Sequence, residues 1–415
     1  MWYTMIKNVS IVLMLMLLVL PDAQAQNGTS SPLSIFGIGE IEVRDFGRTT
    51  AMGSVGIGFQ SDNFLNRRNP AGLSAIDTLR FILDVSASLK MSQFKTKTLR
   101  EQSTVFSFKS LAVGLRLSKM WTSSVGLSPY SNVGYKFTDT QMLSGMEFTT
   151  VYSSSGGINR VYWGNAFELF KGFSIGVNSS FIFGNITQSE DMSAFSIKDT
   201  YNVSKLYFDF GAQYAHWFGQ YTKVIIGGIY GNKSKMFIQH RRNNSGMERD
   251  QRLPDRKSYI PETYGGGFSI LRNKRAAEWV FAADCQYWNW SVDPYSYSKG
   301  KFRYSDSRIL SAGLRLTPNT HYAEKYFQAI RYHLGASYNE SYLKINGYQM
   351  VDLSVSLGLG LPFVNNRTHE RSYVNIAAIF GESGTGQKGG ITERYVLFSV
   401  NLSLIERWFA KWQFD

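Results

Sequence analysis

The sequence predicts an all-β protein: a transmembrane antiparallel β-barrel of about 14 strands with an N-terminal periplasmic or lumenal plug segment. The first observation is alternation. Across residues 351–361 every odd position is Val or Leu, and every even position is Asp, Ser or Gly. Successive side chains of a strand point to opposite faces, so this segment has one apolar face for lipid and one polar face for a lumen. Residues 173–184 show the same pattern, and both segments have the length of about 9–11 residues that crosses a membrane.

A secreted soluble β-protein is the alternative, because sandwiches also alternate and the mean hydropathy is only −0.20. Barrels share such values because half of every strand is polar. Strand length, strand number and an aromatic content of 15 %, with 24 Tyr and 9 Trp, favour the barrel. Tyr and Trp concentrate at membrane–water interfaces, and we expect the aromatic cluster at residues 287–290 to lie at one of them.

The first 25 residues have the pattern of a secretory signal peptide. Lys7 precedes an apolar run over residues 11–20, and Ala23 and Ala25 form a small-x-small cleavage site, which makes Gln26 the expected mature start. An uncleaved anchor is the alternative. Because Gln rather than Cys follows the site, no lipoprotein anchor is expected, and no later run of about 18 apolar residues suggests a membrane helix.

Three further segments follow from composition. Residues 26–78 are rich in Gly and Ser but contain short apolar pieces, which favours a packed plug over a disordered arm. Residues 79–404 form the predicted outer-membrane barrel. Residues 405–415 form an aromatic tail, which we expect at the periplasmic interface.

The predicted barrel strands carry the alternation or are rich in β-forming residues. They are residues 81–89, 106–117, 123–137, 159–169, 173–187, 203–217, 223–239, 263–270, 279–290, 302–317, 329–342, 349–361, 372–380 and 393–404.

The connections alternate in length over the first seven strands. Those at 90–105, 138–158, 188–202 and 240–262 are long, and those at 118–122, 170–172 and 218–222 are short. Outer-membrane barrels have long extracellular loops and short periplasmic turns. We therefore place both chain termini on the periplasmic side, with longer periplasmic turns at 318–328 and 362–371.

The formal net charge is +13. The basic residues lie mostly in the predicted connections, which indicates contact with membrane lipid and lipopolysaccharide phosphates rather than with nucleic acid. The single cysteine, Cys285, excludes an internal disulfide and is best read as a small apolar strand residue.

The segment before the first strand resembles a known family. The small-residue run at 51–58 is followed by the sequence Asn69, Pro70, Ala71, Gly72 and Leu73. This resembles the N-terminal hatch of the FadL/TodX-like barrels. Residues 156–159, 172–178 and 406–409 resemble a Bacteroidetes-type branch of that family. The resemblance implies a fourteen-stranded barrel with a plug that takes up hydrophobic compounds such as long-chain fatty acids. It also implies an alternative role, because other branches of the fold serve as structural subunits of secretion or β-barrel assembly complexes.

Two connections contain candidate ligand residues. The one at 138–158 is apolar, and an exposed apolar segment often marks a contact surface; the one at 240–262 is basic and could pair with a carboxylate or phosphate. A loop folded on its neighbours, a protein-partner surface or a plain solvated cationic loop would have the same sequences. The candidates are Met142, Leu143, Met146, Phe148 and Tyr152 in the first connection, and Arg241 and Arg242 in the second.

Six charged residues are expected to point into the lumen by alternation: Asp84, Arg116, Asp209, Asp284, Arg315 and Asp352. Isolated buried charge is costly, so these side chains should pair with each other or with the plug. Arginines of the plug are the expected partners, and plug anchoring is favoured over a ligand pathway. These arginines are Arg44, Arg48, Arg67 and Arg68.

No catalytic, metal or cofactor site is expected. The five His residues are scattered, and the run at 381–388 departs from a phosphate-binding loop because Lys388 does not directly follow Gly386. The sequence therefore predicts a non-enzyme. The first hypothesis is a passive channel for hydrophobic molecules that is gated by the plug. The second is a non-transporting structural subunit that contacts other outer-membrane proteins.

Overall fold

The computed structural model describes residues 30–97, 100–143, 146–192, 195–245, 251–274, 277–291, 293, 302–320, 325–364, 370–387 and 390–407. The predicted signal peptide at residues 1–25 lies outside the described residues, as do residues 408–415 of the predicted tail. In the described part of the chain, no helix is both long and apolar enough to span a bilayer.

The described residues form eighteen strand segments in one sheet. They are β1 Glu40–Ile41, β2 Arg80–Lys95, β3 Arg100–Arg116, β4 Trp121–Leu143, β5 Met146–Phe170, β6 Phe173–Met192, β7 Phe195–Phe218, β8 Thr222–Gly231, β9 Ser234–Asn244, β10 Gln251–Ile260, β11 Glu262–Lys274, β12 Ala277–Asn289, β13 Phe302–Tyr304, β14 Ser307–Thr317, β15 Arg331–Ile345, β16 Tyr348–Val364, β17 Arg371–Gly384 and β18 Thr392–Arg407. Short helical turns lie at Pro32–Ile35, Thr50–Met52, Pro70–Ala75 and, as α1, Tyr326–Ala329.

The sheet closes on itself as an antiparallel barrel. The last strand, β18, pairs with β2 along its whole length, from Thr392 opposite Lys95 to Arg407 opposite Arg80. The segment β1 belongs to the plug, and the pairs β8/β9, β10/β11 and β13/β14 are each one barrel strand with an interruption. The barrel therefore has 14 strands, and the predicted fold class is confirmed.

The alternation in the sequence gives the predicted orientation of side chains. On β6, Ser174 and Asn178 are buried inside the barrel, whereas Ile175 and Phe181 on the opposite face are exposed. The exposed face of the barrel is thus apolar and the inner face carries small polar side chains. This is the inverse of a water-soluble sheet and suits a wall surrounded by lipid.

The four predicted long loops are wrong as loops. Most of each one continues the flanking strands, so that β4 runs to Leu143 and β5 begins at Met146. On β6 and β7 the outward apolar side chains end at Phe183 and Leu206, and both strands continue beyond them. Beyond these positions most outward side chains are polar, while Ile186, Tyr201 and Val203 on the inner face stay buried. An apolar outer face therefore no longer marks the strand.

The segment from Ser31 to Ile76 lies inside the barrel as a plug. Met52, Ile57 and Phe64 of this segment are at most 2 % exposed. The plug approaches the wall closely where both partners lack side chains: a Cβ on Gly58 would lie 2.3 Å from the backbone of Gly267 on β11. Glycine is required at such contacts.

The first described residues of the plug lie against β4. The backbone N–H of Ser31 donates to the Gly134 carbonyl at 2.8 Å, well along β4 from its start at Trp121. The plug therefore runs along β4 from its first described residues, and the Glu42 N–H donates to the Tyr130 carbonyl at 3.0 Å. At the other end, β18 continues to Arg407 rather than stopping at Leu404.

Candidate functional site

The Asn-Pro-Ala-Gly-Leu sequence begins a helical turn of the plug. Asn69 is fully buried, and its side-chain oxygen accepts from the Ala71 N–H at 3.1 Å. Its amide nitrogen donates to the carbonyl of Ile57 at 2.8 Å and to that of Ala212 on β7 at 3.2 Å. Pro70 suits the first position of the turn because its missing N–H would be unpaired there.

The rest of this motif packs between the plug and the wall. Gly72 lies against Asn66, whose amide nitrogen would be 2.6 Å from an added Cβ. Leu73 is 1 % exposed, and the Ser174 hydroxyl of β6 donates to the Ala71 carbonyl at 3.1 Å. The structure thus gives the motif a role in anchoring the plug.

Several of the six lumen charges bind the plug directly. Asp284 on β12 accepts the backbone N–H groups of Gly56 at 2.6 Å and Ile57 at 2.9 Å. Asp352 on β16 forms an ion pair with Arg44 at 2.7 Å. A backbone N–H bond to a charged carboxylate is stronger than one to a neutral acceptor, so both contacts hold the plug.

Arg116 also reaches the plug, through the carbonyls of Ser74 at 3.1 Å and Ile76 at 3.0 Å. The remaining three charges contact neighbouring strands. The contacts are Ser403 to Asp84, Asn178 to Asp209 at 2.6 Å, and Arg315 to Glu278 at 2.6 Å.

The arginines of the plug divide by partner. Arg44 binds Asp352, and Arg67 lies 3.6 Å from Asp45 within the plug. Arg68 donates to the side chain of Gln286 at 2.8 Å. Arg48 donates to Ser61 and Asn63, and among the described residues it forms no ion pair.

On the side of the plug away from the short turns, which we call the upper side, apolar and aromatic side chains fill the lumen. Trp290 is fully buried and stacks on Tyr342 with ring centroids 4.7 Å apart; Tyr304 meets it edge-on at 5.5 Å. We call this group the upper cluster; its buried members are Ile38, Val133, Ile158, Ile182, Ile186, Tyr201, Val203, Tyr207, Met236, Ile238, Ile260, Trp290, Tyr304, Tyr342 and Leu343. The expected interfacial position of Trp290 is wrong, because alternation gives no signal for apolar residues on an inner face.

A small cavity lies between the plug and the upper cluster. It has a volume of about 160 Å³ and is lined in part by Arg44, Lys90 and Lys109. Lys90 is paired with Glu393 at 2.7 Å, and Lys109 with Glu42. Sites for drug-sized ligands have volumes of roughly 300–1,000 Å³ and mostly apolar linings, so this cavity suits no fatty-acid-sized ligand.

The predicted ligand residues lie on projecting hairpins instead of around a groove. Met142 and Phe148 are 72 % and 53 % exposed near the tip of the β4–β5 hairpin. Leu143 and Met146 are the strand ends there, and Tyr152 stacks on Phe137 at 5.0 Å.

The two predicted arginines lie on β9, separated from that hairpin by β6 and β7. Arg242 binds both oxygens of Asp199, at 2.8 and 2.7 Å, and Arg241 is exposed opposite Thr200. The structure therefore does not bring the two groups together. Among the described residues no three His, Cys, Asp or Glu side chains converge as metal ligands.

The wall is incomplete between β3 and β4. These strands pair only from Leu111 opposite Leu127 to Arg116 opposite Thr122. A bulge in the β2–β3 register and Pro129 in β4 lie where the pairing ends. Proline cannot donate to a ladder, so it belongs at such an edge. We call this opening the β3–β4 seam.

The plug occupies part of the β3–β4 seam. Its two-residue strand β1 pairs with β4, with Glu40 opposite Asn132 and Ile41 opposite Ser131. On the other side Glu40 lies 3.3 Å from Lys90 of β2. The β3–β4 seam was not predicted from the sequence, although Pro129 within a predicted strand indicates an unpaired edge.

Comparison with solved structures places the fold among outer-membrane channels. The Pseudomonas putida toluene transporter TodX aligns with a TM-score of 0.57 and 14 % identity over 89 % of this chain and all of that one. The Ralstonia pickettii toluene transporter TbuX aligns with a TM-score of 0.55 and 13 % identity, over 87 % and 98 %. A Pseudomonas aeruginosa FadL homologue gives 0.54 and 12 %, over 87 % and 97 %. At these identities the likeness is one of fold.

No curated protein matches the sequence. The family model that matches is BamG, over residues 5–415. The resemblance to the FadL/TodX-like barrels therefore holds for the architecture, and the family model shows that the chain belongs to the BamG family.

Proposed function

We propose that this protein is a non-transporting structural subunit of an outer-membrane assembly complex of the β-barrel assembly type. The observation that carries the proposal is a lumen filled at two levels, by the plug below and by the upper cluster above. The family match supports it, because the chain belongs with BamG and shares only a fold with the toluene transporters.

The plug is held by contacts around the barrel. It bonds to β7 through Asn69, to β12 through Asp284 and to β16 through Arg44. Removing one partner of a buried charged contact costs about 3–5 kcal/mol. Displacing the plug would break several such contacts together, so spontaneous opening for passive diffusion is strongly disfavoured.

The upper cluster, which includes Ile38 of the plug, also opposes passage. Trp290, Tyr304 and Tyr342 contact one another through their rings. A solute crossing the lumen would have to separate them, and buried aromatic pairs add about 0.5–1.5 kcal/mol each beyond their burial.

A structural subunit needs surfaces for partners. The exposed Met142 and Phe148 project on the β4–β5 hairpin beyond the lipid, where apolar side chains mark contact sites. We place the protein in the outer membrane, with its apolar wall in lipid, its basic hairpins toward lipopolysaccharide and other outer-membrane proteins as partners. We also propose that the protein belongs to a Bacteroidetes-type branch.

The β3–β4 seam favours a second candidate function. A passive channel gated by the plug would release long-chain fatty-acid-like molecules through this opening, and the shared fold of the toluene transporters supports that reading. Such a channel requires the N-terminal segment to leave β4 and the charged pairs of Lys90 and Lys109 to separate.

The test is extraction of the native outer membrane in mild detergent, followed by protein and lipid mass spectrometry. We expect other outer-membrane proteins in fixed stoichiometry. In parallel, the purified barrel in liposomes should admit a fluorescent fatty acid no faster than empty liposomes do. A lone barrel that is enriched in one class of lipophile and carries the fatty acid would overturn the subunit proposal in favour of the channel.

A further inference from the structure

A second cavity opens at the end of the barrel where the short turns lie. It has a volume of about 780 Å³ and lies between the plug and strands β3, β5–β8, β11, β12, β14 and β15. Arg116 and Glu168, which flank the predicted periplasmic turns, are among its lining residues. The cavity therefore faces the periplasm in the orientation given above, and it is separate from the small cavity above the plug.

Three arginines in this cavity have unused hydrogen-bond donors. Arg48 of the plug and Arg315 of β14 are 2 % and 3 % exposed. Among the described residues, no partner is present for Nε and Nη2 of Arg48, for Nε and Nη1 of Arg315, or for Nη1 of Arg331 at the start of β15. The Arg331 guanidinium lies over the Tyr373 ring at 3.6 Å, which leaves its edge for a ligand. Buried donors are normally satisfied, so several orphans in one place require an explanation.

The charge of the cavity is also unbalanced. Its lining contains six basic side chains and three acidic ones. All three acids already have partners: Asp62 binds Arg80 at 2.8 Å, Glu278 binds Arg315 at 2.6 Å, and Glu168 binds Arg116 at 3.2 Å. The basic residues are Arg48, Arg116, Lys171, Lys223, Arg315 and Arg331, and the acidic ones are Asp62, Glu168 and Glu278.

The excess of positive charge acts on Arg48 of the plug. Burial, together with the like charges of Arg331 and Arg315, lowers the pKa of Arg48 well below its ordinary value. Nearby, Nε2 of the buried His333 has no hydrogen-bond partner in the described part of the chain. A charged group in such surroundings is stabilised by an anion that accepts its free N–H groups.

We propose that this cavity binds a phosphate group, supplied by free phosphate or by a phospholipid headgroup of the inner leaflet. Guanidinium groups match phosphate oxygens in paired hydrogen bonds. A phosphate dianion offsets more of the excess positive charge of the cavity than a single carboxylate does. Arg48, Arg315 and Arg331 are the recognition residues, and the site joins the plug to β14 and β15. The inference goes beyond the proposed function and stands whether or not the barrel transports.

The test uses the full-length barrel purified in a maltoside detergent without phosphate. Inorganic phosphate is titrated against chloride at matched ionic strength while thermal unfolding is followed. Ligands that bind only the folded state raise the unfolding temperature, and we expect a rise of at least about 2 °C at saturation. Native mass spectrometry from phosphatidylglycerol nanodiscs tests the lipid source in the same preparation.

The diagnostic variant is Arg331→Gln, because Nη1 of this side chain has no hydrogen-bond partner among the described residues and the guanidinium packs on the Tyr373 ring. We expect it to weaken phosphate binding at least tenfold and to unfold no earlier than the native protein in phosphate-free buffer, since a repulsive charge is removed. The control is Arg308→Gln on β14, whose side chain is 69 % exposed and far from the cavity; it should keep the native response.

A phosphate-dependent shift that is lost only in Arg331→Gln assigns the site to free phosphate. Retained phospholipid that is lost in the same variant, with no response to inorganic phosphate, assigns it to a headgroup. The proposal is overturned if the native protein shows neither response, or if Arg331→Gln and Arg308→Gln behave alike. Binding of an acidic peptide without any phosphate response would overturn it as well.

Discussion

Arg44 of the plug lies 2.7 Å from Asp352 of β16, and the Tyr395 hydroxyl of β18 donates to the same carboxylate at 2.7 Å. This contact joins the plug to β16 and β18, two strands late in the chain.

Replacing Asp352 by Ala should destabilise the folded barrel by roughly 3 kcal/mol, because Arg44 is left without its counter-charge in a partly buried position. Urea unfolding in detergent micelles measures the difference. The double variant Arg44→Met with Asp352→Leu should recover most of the loss. Equal losses in the single and double variants would show that the pair itself is unimportant.

Placing a methyl group at Gly58 should displace the plug. The added Cβ would meet the backbone of β11 at 2.3 Å, and backbone atoms cannot move aside as a flexible side chain can. We expect Gly58→Ala to expose the plug to protease in folded barrels. Gly266→Ala is the matched control, since a Cβ there meets nothing within 4 Å. If both variants resist protease equally, the close contact does not hold the plug.

Truncating Trp290 should weaken the upper cluster. Trp290→Ala removes a fully buried ring, and we expect a loss of about 3–5 kcal/mol together with faster hydrogen exchange in β12 and β15. Trp279→Ala removes a ring that is 54 % exposed on the lipid side and should have a much smaller effect. Similar losses in the two variants would contradict a packed upper lumen.

The β6–β7 hairpin beyond the lipid should respond to acid through Asp199. Burial raises the pKa of Asp199, but hydrogen bonds from Arg242 and His240 outweigh it and hold the pKa below the ordinary 3.8. A depressed folded-state pKa stabilises the folded form above the unfolded value and loses that effect as pH falls through the folded one. The native protein should therefore be more stable than Asp199→Asn at pH 7. This difference should close below about pH 4, and a difference that persists at pH 2 would contradict the assignment.

Charged substitutions at the β4–β5 tip separate the two functional candidates. Met142→Glu with Phe148→Glu should abolish co-purification of partner proteins without changing barrel stability, because both side chains are exposed. Thr140→Glu on the same hairpin is the control. Reduced fatty-acid uptake with partners retained would instead support the channel.

The sequence was sufficient for the membrane-spanning part of the fold. Lipid on one side and a polar lumen on the other impose alternation, so the segment 351–361 lies within β16 as predicted. Beyond the lipid this constraint ends, and the strands up to Leu143 and from Met146 were missed. The close packing of the plug against the wall was predictable in part, because the glycines at 53, 56 and 58 indicated a packed plug.

The inner surface was harder to predict. Asp284 and Asp352 point inward as expected, but their partners depend on register between strands far apart in sequence. Trp290 follows the same alternation and yet belongs to an apolar interior, because a filled lumen has the composition of a protein core. The arginine cavity combines Arg48 with Arg315 and Arg331, more than 250 residues away along the chain, and only the closed barrel brings them together.

The pairing of β1 with β4 has a consequence for how the protein avoids self-association. An unpaired strand edge is a template on which another chain can add a strand. From Tyr130 to Gly134 that edge is occupied by the N-terminal segment, which bonds through Ser31, β1 and Glu42. A barrel that loses these few residues would still close between β18 and β2, but the edge of β4 would be left unpaired in the membrane. Such a barrel should form dimers and larger aggregates.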